Sequence, residues 1–370
     1  MAHLDRLSIR DFRNLARVDL RFPAEGVVVI GDNGEGKTNL LEAIYYFQLL
    51  RSARGARDAD LVRFGASAFH LNATVATLGE HELSAAFGRG KKKVVVDGAE
   101  AKRLSGALGS LPAIVISPRD VALVSGAPSE RRRFLDVTLA LTSPRYLNAL
   151  QKYRGALTRR NASLRSAARG LHSDESVAVW EPALAESGAV LLSERIAWMD
   201  RHASAFTRLT CAIGEPEPMT MRYVTSIANP RNAVMELSDA LARKRTLDIR
   251  RGLTHTGPHR DDIALQIGGH DLRVFGSGGQ QRTAAITLRL LEAETLKGRT
   301  GSDPLLLLDD PFAELDVRRS AHILALLHET VTGQTILTVP RAGDIPSDLS
   351  RLSRWHISDG TISDPASNVT

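Results

Sequence analysis

Eight residues near the start of the chain, Gly31-Asp32-Asn33-Gly34-Glu35-Gly36-Lys37-Thr38, have the spacing G-x-x-x-x-G-K-[ST]. Glycines so placed let backbone N–H groups close around phosphate oxygens, and a helix opening at Lys37 adds the partial positive charge of its N-terminus. Lys37 would neutralise the β- and γ-phosphates and Thr38 would ligate Mg²⁺, with Asn39 completing the candidate set. A plain glycine-rich turn is the alternative, and the apolar run Val27–Ile30 before the motif weighs against it. A second constellation, Pro304 to Asp310, is four leucines followed by two aspartates. Asp309 is the candidate metal partner, and Asp310 the candidate base that orients an attacking water. An apolar strand capped by acids is common in isolation; together with a phosphate loop it implies binding of ATP or GTP. The third, Ser277-Gly278-Gly279-Gln280, lies at a helix start and offers another anion site or a flexible loop. One nucleotide already has its own loop, so a second site suggests phosphate contacts on another subunit.

These groups need strands and helices to hold them. Leu7 to Leu20 alternates apolar and polar residues, Val27–Ile30 reads as a buried strand, and Val94-Val95-Val96-Asp97-Gly98 ends in a turn signal. Leu40, Leu41, Ile44 and Phe47 recur at helical spacing after the phosphate loop. From about Pro118 to Arg250 the pattern is helical, with Tyr146, Leu150, Tyr153, Leu157 and Leu164 on one stripe. Leu305–Asp310 and Gln334–Thr338 read as strands, Thr283–Leu296 as a helix, and the last dozen residues as a polar tail. No internal repeat or low-complexity run occurs. The pattern predicts an α/β domain split in sequence, 1–117 and 251–370, with an inserted mainly helical arm at 118–250.

The composition is that of a folded chain, 43% hydrophobic and 24% charged over 370 residues. That excludes a disordered, collagen-like or purely coiled-coil protein. No apolar run approaches the length of a membrane span. The single cysteine, Cys211, excludes an internal disulfide and a cysteine-built metal site. With a charged N-terminal segment, these features predict a cytoplasmic protein. Net charge is +6, carried by 40 Arg and 8 Lys. A polyanionic partner and a GC-rich genome that writes Arg for Lys both account for it. Residues 119–169 hold 11 bases against 3 acids, with Arg145, Lys152 and Arg159 opposite the apolar stripe, and they are the candidate DNA contacts. Residues 172–200 hold 6 acids and one base, so a self-neutralising helical hairpin is an equal alternative.

Ser-Gly-Gly-Gln before a Leu-rich strand ending in two acids resembles the signature of ABC-type P-loop ATPases, in the subclass of chromosome-maintenance proteins. Leu7-x-Ile9-x-Asp11-Phe12-Arg13-Asn14 is similar to the first strand of that subclass. Ser117-Pro118-x-Asp120, Ser129–Asp136 and Thr256-Gly257-Pro258-His259-Arg260-Asp261-Asp262 narrow the resemblance to the RecF family of bacterial recombination mediators. It covers Leu4 to about Thr338.

The resemblance implies a head-to-tail homodimer of ATPase heads. ATP on one subunit's phosphate loop would be closed over by Ser277, Gly278, Gly279 and Gln280 of the other. Asp316 matches the family's D-loop acid, and Arg13 and Asn14 match positions near the nucleotide. His259 and Arg260 fall in a stretch read as a connection between arm and head. The chain has Asp310 where transporter ATPases have Glu, no switch His in Leu337-Thr338-Val339-Pro340, and Arg119 where the family commonly has an acid. The first two departures imply slow hydrolysis and argue against a transporter's nucleotide-binding subunit; Arg119 bears on the loop that in the family senses nucleotide between head and arm.

The reading is therefore an ATP·Mg²⁺-dependent, weakly hydrolysing clamp. It would act in DNA replication and recombinational repair, on duplex DNA near single-strand gaps, and help load recombinase. RecR and RecO are the partners the resemblance implies. The alternative is an ATP-binding scaffold for repair proteins. DNA contacts would be to phosphates, since no base-reading motif is present. Reversing Lys152 and Arg159 to Glu is expected to lower DNA affinity and flatten its dependence on salt. An unchanged titration would favour the self-neutralised hairpin.

Overall fold

The computed structural model describes residues 2–76, 79–171, 173–312, 317–330 and 333–363. It divides into two compact units, residues 1–120 with 288–370, and residues 121–287.

In the first unit, a mostly parallel six-stranded sheet runs in the order 361–363, 353–358, 26–30, 335–339, 305–309, 113–116. Its central strands, Gly26–Ile30, Thr335–Val339 and Leu305–Asp309, are almost wholly buried and mostly apolar, as expected of strands covered on both faces. An antiparallel six-stranded sheet in the order 15–21, 3–12, 68–76, 80–88, 91–96, 99–100 has one buried and one exposed face. Its strands accordingly alternate: Leu7, Ile9 and Phe12 are buried, while Arg6 is exposed. The helix Lys37–Leu49 touches strands of both sheets, and 11 of its 13 residues are buried. Apolar residues all round a helix are what such a sandwiched position requires. Phe12, Tyr46 and Phe69 meet edge to face, with centroids 5.2–6.3 Å apart, and tie the helix to the antiparallel sheet.

The second unit is built on the helices Pro144–Ala168, Glu181–Ile213 and Ala233–Arg251. Tyr146, Leu150, Tyr153 and Leu164 of the expected stripe are buried, and Leu157 is half-buried. The unit also holds a strand pair that the helical reading of 118–250 missed, Met219–Val224 against Asp262–Ile267. Its signal was the alternation Met219, Met221, Tyr223. This pairing explains why the second unit runs on to Thr287 rather than stopping near Arg250: the strand at 262–267 finds its ladder partner at 219–224.

The stretch Thr256–Asp262 is not a loose connection. Gly257 has φ +124°, and a Cβ there would stand 2.4 Å from the Tyr153 hydroxyl. That hydroxyl donates to His259 Nδ1 at 2.6 Å, and His259 Nε2 donates to the Thr254 carbonyl at 3.0 Å. Arg195 bridges Asp136, Tyr146, Tyr223 and the Pro258 carbonyl at 2.7–3.1 Å. Arg131 grips Asp262 and Arg132 the Asp261 carbonyl. One further base of this stretch turns inward: buried Arg160 pairs with Glu181 and Asp248. Arg145, Lys152 and Arg159 stay exposed, with Arg159 lying 5.3 Å over the Trp180 ring.

Burial lowers the His259 pKa from 6.5 to about 4, reinforced by the Arg260 and Arg132 charges. Between those values the unfolded imidazole takes a proton that the folded one refuses. Folding stability is therefore complete above pH 6.5 and falls as pH drops toward 4, by about 3 kcal/mol in total. Urea titrations between pH 4.5 and 7 are expected to show this slope, and His259→Asn to flatten it.

Candidate functional site

The strand Gly26–Ile30 delivers the chain to a loop whose left-handed glycines, Gly34 (φ +94°) and Gly36 (φ +118°), turn it into the helix at Lys37. Gly36 also has a packing reason: a Cβ there would press on the Asn14 amide at 2.8 Å. Asn14 donates to the Glu35 carbonyl at 3.0 Å and accepts from Asn39 at 2.8 Å, which makes it a brace for the loop. Gly360 donates to the same carbonyl at 2.9 Å, and Asp359 N–H to the Glu35 carboxylate. Lys37 is buried, its ammonium donating to the carbonyls of Gly31 and Asp32 (2.8 Å to the latter). The helix begins with no side-chain cap, so its first N–H groups point into the loop.

Across the opening, Thr38 Oγ1 lies 2.9 and 3.0 Å from the carboxylate oxygens of Asp309. Thr338 Oγ1, buried on the adjacent strand, donates to Asp309 Oδ1 at 2.9 Å and fixes the acid from the other side. Asp310 follows with φ +46°, its N–H bonded to the Thr338 carbonyl at 3.0 Å. Aspartate tolerates that left-handed backbone better than most residues. The cavity between these groups measures about 380 Å³; Asn33, Gly34, Gly36, Lys37, Thr38, Asn39, Arg54, Arg119, Asp309 and Asp310 line it. A lysine, loop N–H groups and an acid–hydroxyl pair in one cleft suit a polyphosphate. Thr38 and Asp309 supply two hard oxygens, one of them anionic, which is the small protein share that Mg²⁺ takes when phosphates and waters complete its shell.

Some of the expected residues have other employment. Arg13, in the left-handed region at φ +56°, donates to Glu42 at 3.0 Å and to the Asp60 carbonyl at 3.2 Å. Arg54 meets Glu42 from the cavity side and donates to Asn39 at 2.6 Å. Burial raises the Glu42 pKa, but hydrogen bonds from Arg54, Ser52 and Arg13 outweigh it and hold the carboxyl below the usual glutamate range. Arg54, Glu42 and Thr338 were missed in the sequence. Thr338 carried a weak signal, a hydroxyl in a largely apolar strand; the other two became neighbours only through folding. Arg119 is exposed on the cavity rim. Asp120 beside it is buried, bonded to Ser117 N–H at 2.7 Å and to Arg289 at 2.7 and 3.0 Å.

In the second unit, Ser277 and Gln280 form a capping box for the helix Gly278–Thr300: Ser277 N–H donates to Gln280 Oε1 at 2.8 Å, and Gln280 N–H to Ser277 Oγ at 3.3 Å. Gln281 pins the loop through the Arg273 and Gly276 carbonyls at 3.2 Å. A Cβ on Gly278 would meet nothing within 4 Å, so its small size serves no packing inside this chain. Asp316 lies outside the described residues.

Residues 3–352 match the model of the RecF/RecN/SMC N terminal domain family. The DNA replication and repair protein RecF of Roseiflexus castenholzii is 36% identical over 97% of this chain and 98% of its own. That of Ligilactobacillus salivarius is 34% identical over 98% and 97%. The chain belongs to the RecF family. It also resembles a solved structure of the recombination mediator protein RecF-ATP in the RecFOR pathway, with a TM-score of 0.90 at 29% identity, covering 98% of this chain and 97% of that one. An Smc head bound to the C-winged helix domain of ScpA matches at 0.57 and 14% identity over 98% and 97%, a likeness of fold alone. The RecF-family fold is thus an ATPase head split in sequence around a mainly helical insertion. No helix among the described residues is long and apolar enough to cross a membrane.

Glu42→Ala leaves Arg13 and Arg54 facing each other without their shared anion. Breaking one partner of a buried pair is expected to lower unfolding stability by about 3–5 kcal/mol in urea titrations.

Proposed function

We propose that this RecF-family chain is an ATP-dependent DNA-binding protein of replication and recombinational repair. In this reading ATP drives a head-to-tail dimer that clamps duplex DNA near single-strand gaps, and slow hydrolysis releases it. The observation that carries it is the Thr38–Asp309 pair at 2.9–3.0 Å, with Asp310 beside it, at the mouth of the Lys37 loop.

The loop N–H groups and the Lys37 ammonium would bind the β- and γ-phosphates, and Thr38 with Asp309 would hold Mg²⁺. The metal, when bound, neutralises charge on the phosphate oxygens. Asp310 would orient the attacking water and accept its proton at a carboxylate oxygen; aspartate reaches one carbon less far than glutamate, consistent with slow turnover. Thr338 would keep Asp309 aimed. The capped helix start at Ser277, with the open space beside Gly278, supports an anion site completed by another subunit. Because ATP would contact both subunits, it binds the dimer better than the monomer and stabilises it by linkage. The relatives' role in DNA replication and repair and in the RecFOR pathway supports RecR and RecO as partners.

Sedimentation of Asp310→Asn with a labelled gapped duplex tests this directly. Asparagine is compatible with the left-handed backbone at 310, so the fold should persist. The expected result is a monomer that becomes a DNA-bound dimer only with ATP·Mg²⁺, and Ser277→Arg should abolish dimerisation while each monomer keeps ATP. ATP-driven dimers that leave the DNA free would instead support a scaffold for repair proteins. Normal hydrolysis by Asp310→Asn would remove that residue from the role of base.

A further inference from the structure

The chain holds 40 Arg but only 8 Lys, and four of those eight are Lys91, Lys92, Lys93 and Lys102. A genome that favours Arg over Lys does not explain half of the lysines within twelve residues. They sit on the hairpin of strands Glu80–Gly88 and Lys91–Val96, closed by the left-handed pair Arg89 (φ +51°) and Gly90 (φ +73°). Past the short strand Ala99–Glu100, Ala101 N–H still bonds the Val94 carbonyl at 2.9 Å. The chain is therefore still beside Val94 one residue before Lys102 and Arg103, where it bends.

Alternation along the strand separates these cations. Lys92 points inward, 2.7 Å from Asp58, 5.4 Å from the Tyr46 ring centre and bonded to the Leu50 carbonyl, which ends the helix that starts at Lys37. Lys91 and Lys93 project to the other face and are exposed. Of the acids nearby, Glu100 lies 3.5 Å from Lys93 and Asp97 2.8 Å from His81, while Glu80 and Glu82 are exposed at the other end of the hairpin from the Arg89–Gly90 turn. Arg89, Lys91, Lys102 and Arg103 are exposed and make no ion pair among the described residues. Among the described residues no large hydrophobic is exposed on the hairpin itself, and the segment after it exposes Leu104 alone, at 43%, too small an apolar area for an anchor. Protein partners and membrane surfaces usually need such an anchor; a phosphate backbone needs only charge.

We propose that this hairpin and the segment after it form a phosphate-contacting DNA surface on the ATPase unit, in addition to the exposed bases of the helical unit. The proposal rests on the DNA-binding reading above. Lys92 fastens the surface to the far end of the phosphate-loop helix, while Arg89, Lys91, Lys102 and Arg103 contact the backbone without reading bases.

The test uses the full chain with ATP·Mg²⁺ and a gapped duplex, titrated at several salt concentrations. The variant combines Arg89→Asn, Lys91→Gln, Lys102→Gln and Arg103→Gln; Asn suits the left-handed backbone at 89. Each lost phosphate contact removes about 0.9 from the slope of log K against log salt, so the slope should flatten by about 3 to 4, with ATP binding and melting temperature unchanged. If the parent binds the duplex and the variant keeps its slope, the surface is wrong and the DNA reading stands. If the parent binds no duplex, the DNA reading fails and takes this surface with it. A second measurement needs no variant: DNA should protect Lys91 and Lys102 of the parent from acetylation. Absence of protection, or equal protection by polyglutamate, overturns the proposal.

Discussion

The hydrogen bond between Thr38 and Asp309 joins residues 271 positions apart, and the candidate site depends on it. Neither side chain is held there by its own element. The parallel register holds them: Val29 lies opposite Thr338, and Thr338 opposite Asp309. The three strands therefore finish at the same edge. The loop leaving the first strand, the hydroxyl on the second and the carboxylates of the third arrive together. Parallel strands cannot be joined by tight turns, so the long excursions between them are a condition of this geometry. Ligand sites at the carboxyl ends of parallel strands are a general consequence.

Both units bury charge, and in each the charges fasten loops. Glu42 holds Arg13 and Arg54 beside the phosphate loop, and Asp120 holds Arg289 under the Ser117 turn. In the helical unit Arg195 reaches four partners and Arg160 three. Such groups contribute little net stability compared with apolar packing, but each becomes costly once a partner is removed. That asymmetry enforces one loop conformation over near alternatives. The fixed loops in turn give the site a shape independent of the flexible reach of long side chains.

This use of arginine changes the meaning of the basic composition. A cluster of 11 bases in residues 119–169 reads as one basic face. Folding divides it: Arg131 and Arg160 become internal fastenings, while Arg119, Arg145, Lys152, Arg154, Arg159, Arg165 and Arg169 remain exposed. Three of the four lysines near the 91–93 hairpin stay in solvent, as suits a strongly hydrated ammonium on a flexible stem.

Local spacing alone was enough for the glycine turn that leads from the strand at 26–30 into the helix at Lys37, the acid-tipped strand at 305–309 and the capped start at Ser277. Each is a short-range pattern whose chemistry lies in adjacent residues. The split α/β architecture followed from the same patterns taken in order. Contacts between distant segments could not be read that way. The strand at 219–224 was hidden in helical surroundings until its partner at 262–267 claimed it. His259 was assigned to a connection because nothing nearby announces Tyr153 as its partner. Asn14 and Arg13, expected at the nucleotide, bond within this chain to the Glu35 carbonyl and to Glu42. Sequence therefore determined which residues can do the chemistry, because phosphate and metal binding require particular side chains at fixed intervals. Tertiary structure decided which of them face the cavity and which hold it open, because burial and strand register act between residues that the chain places far apart.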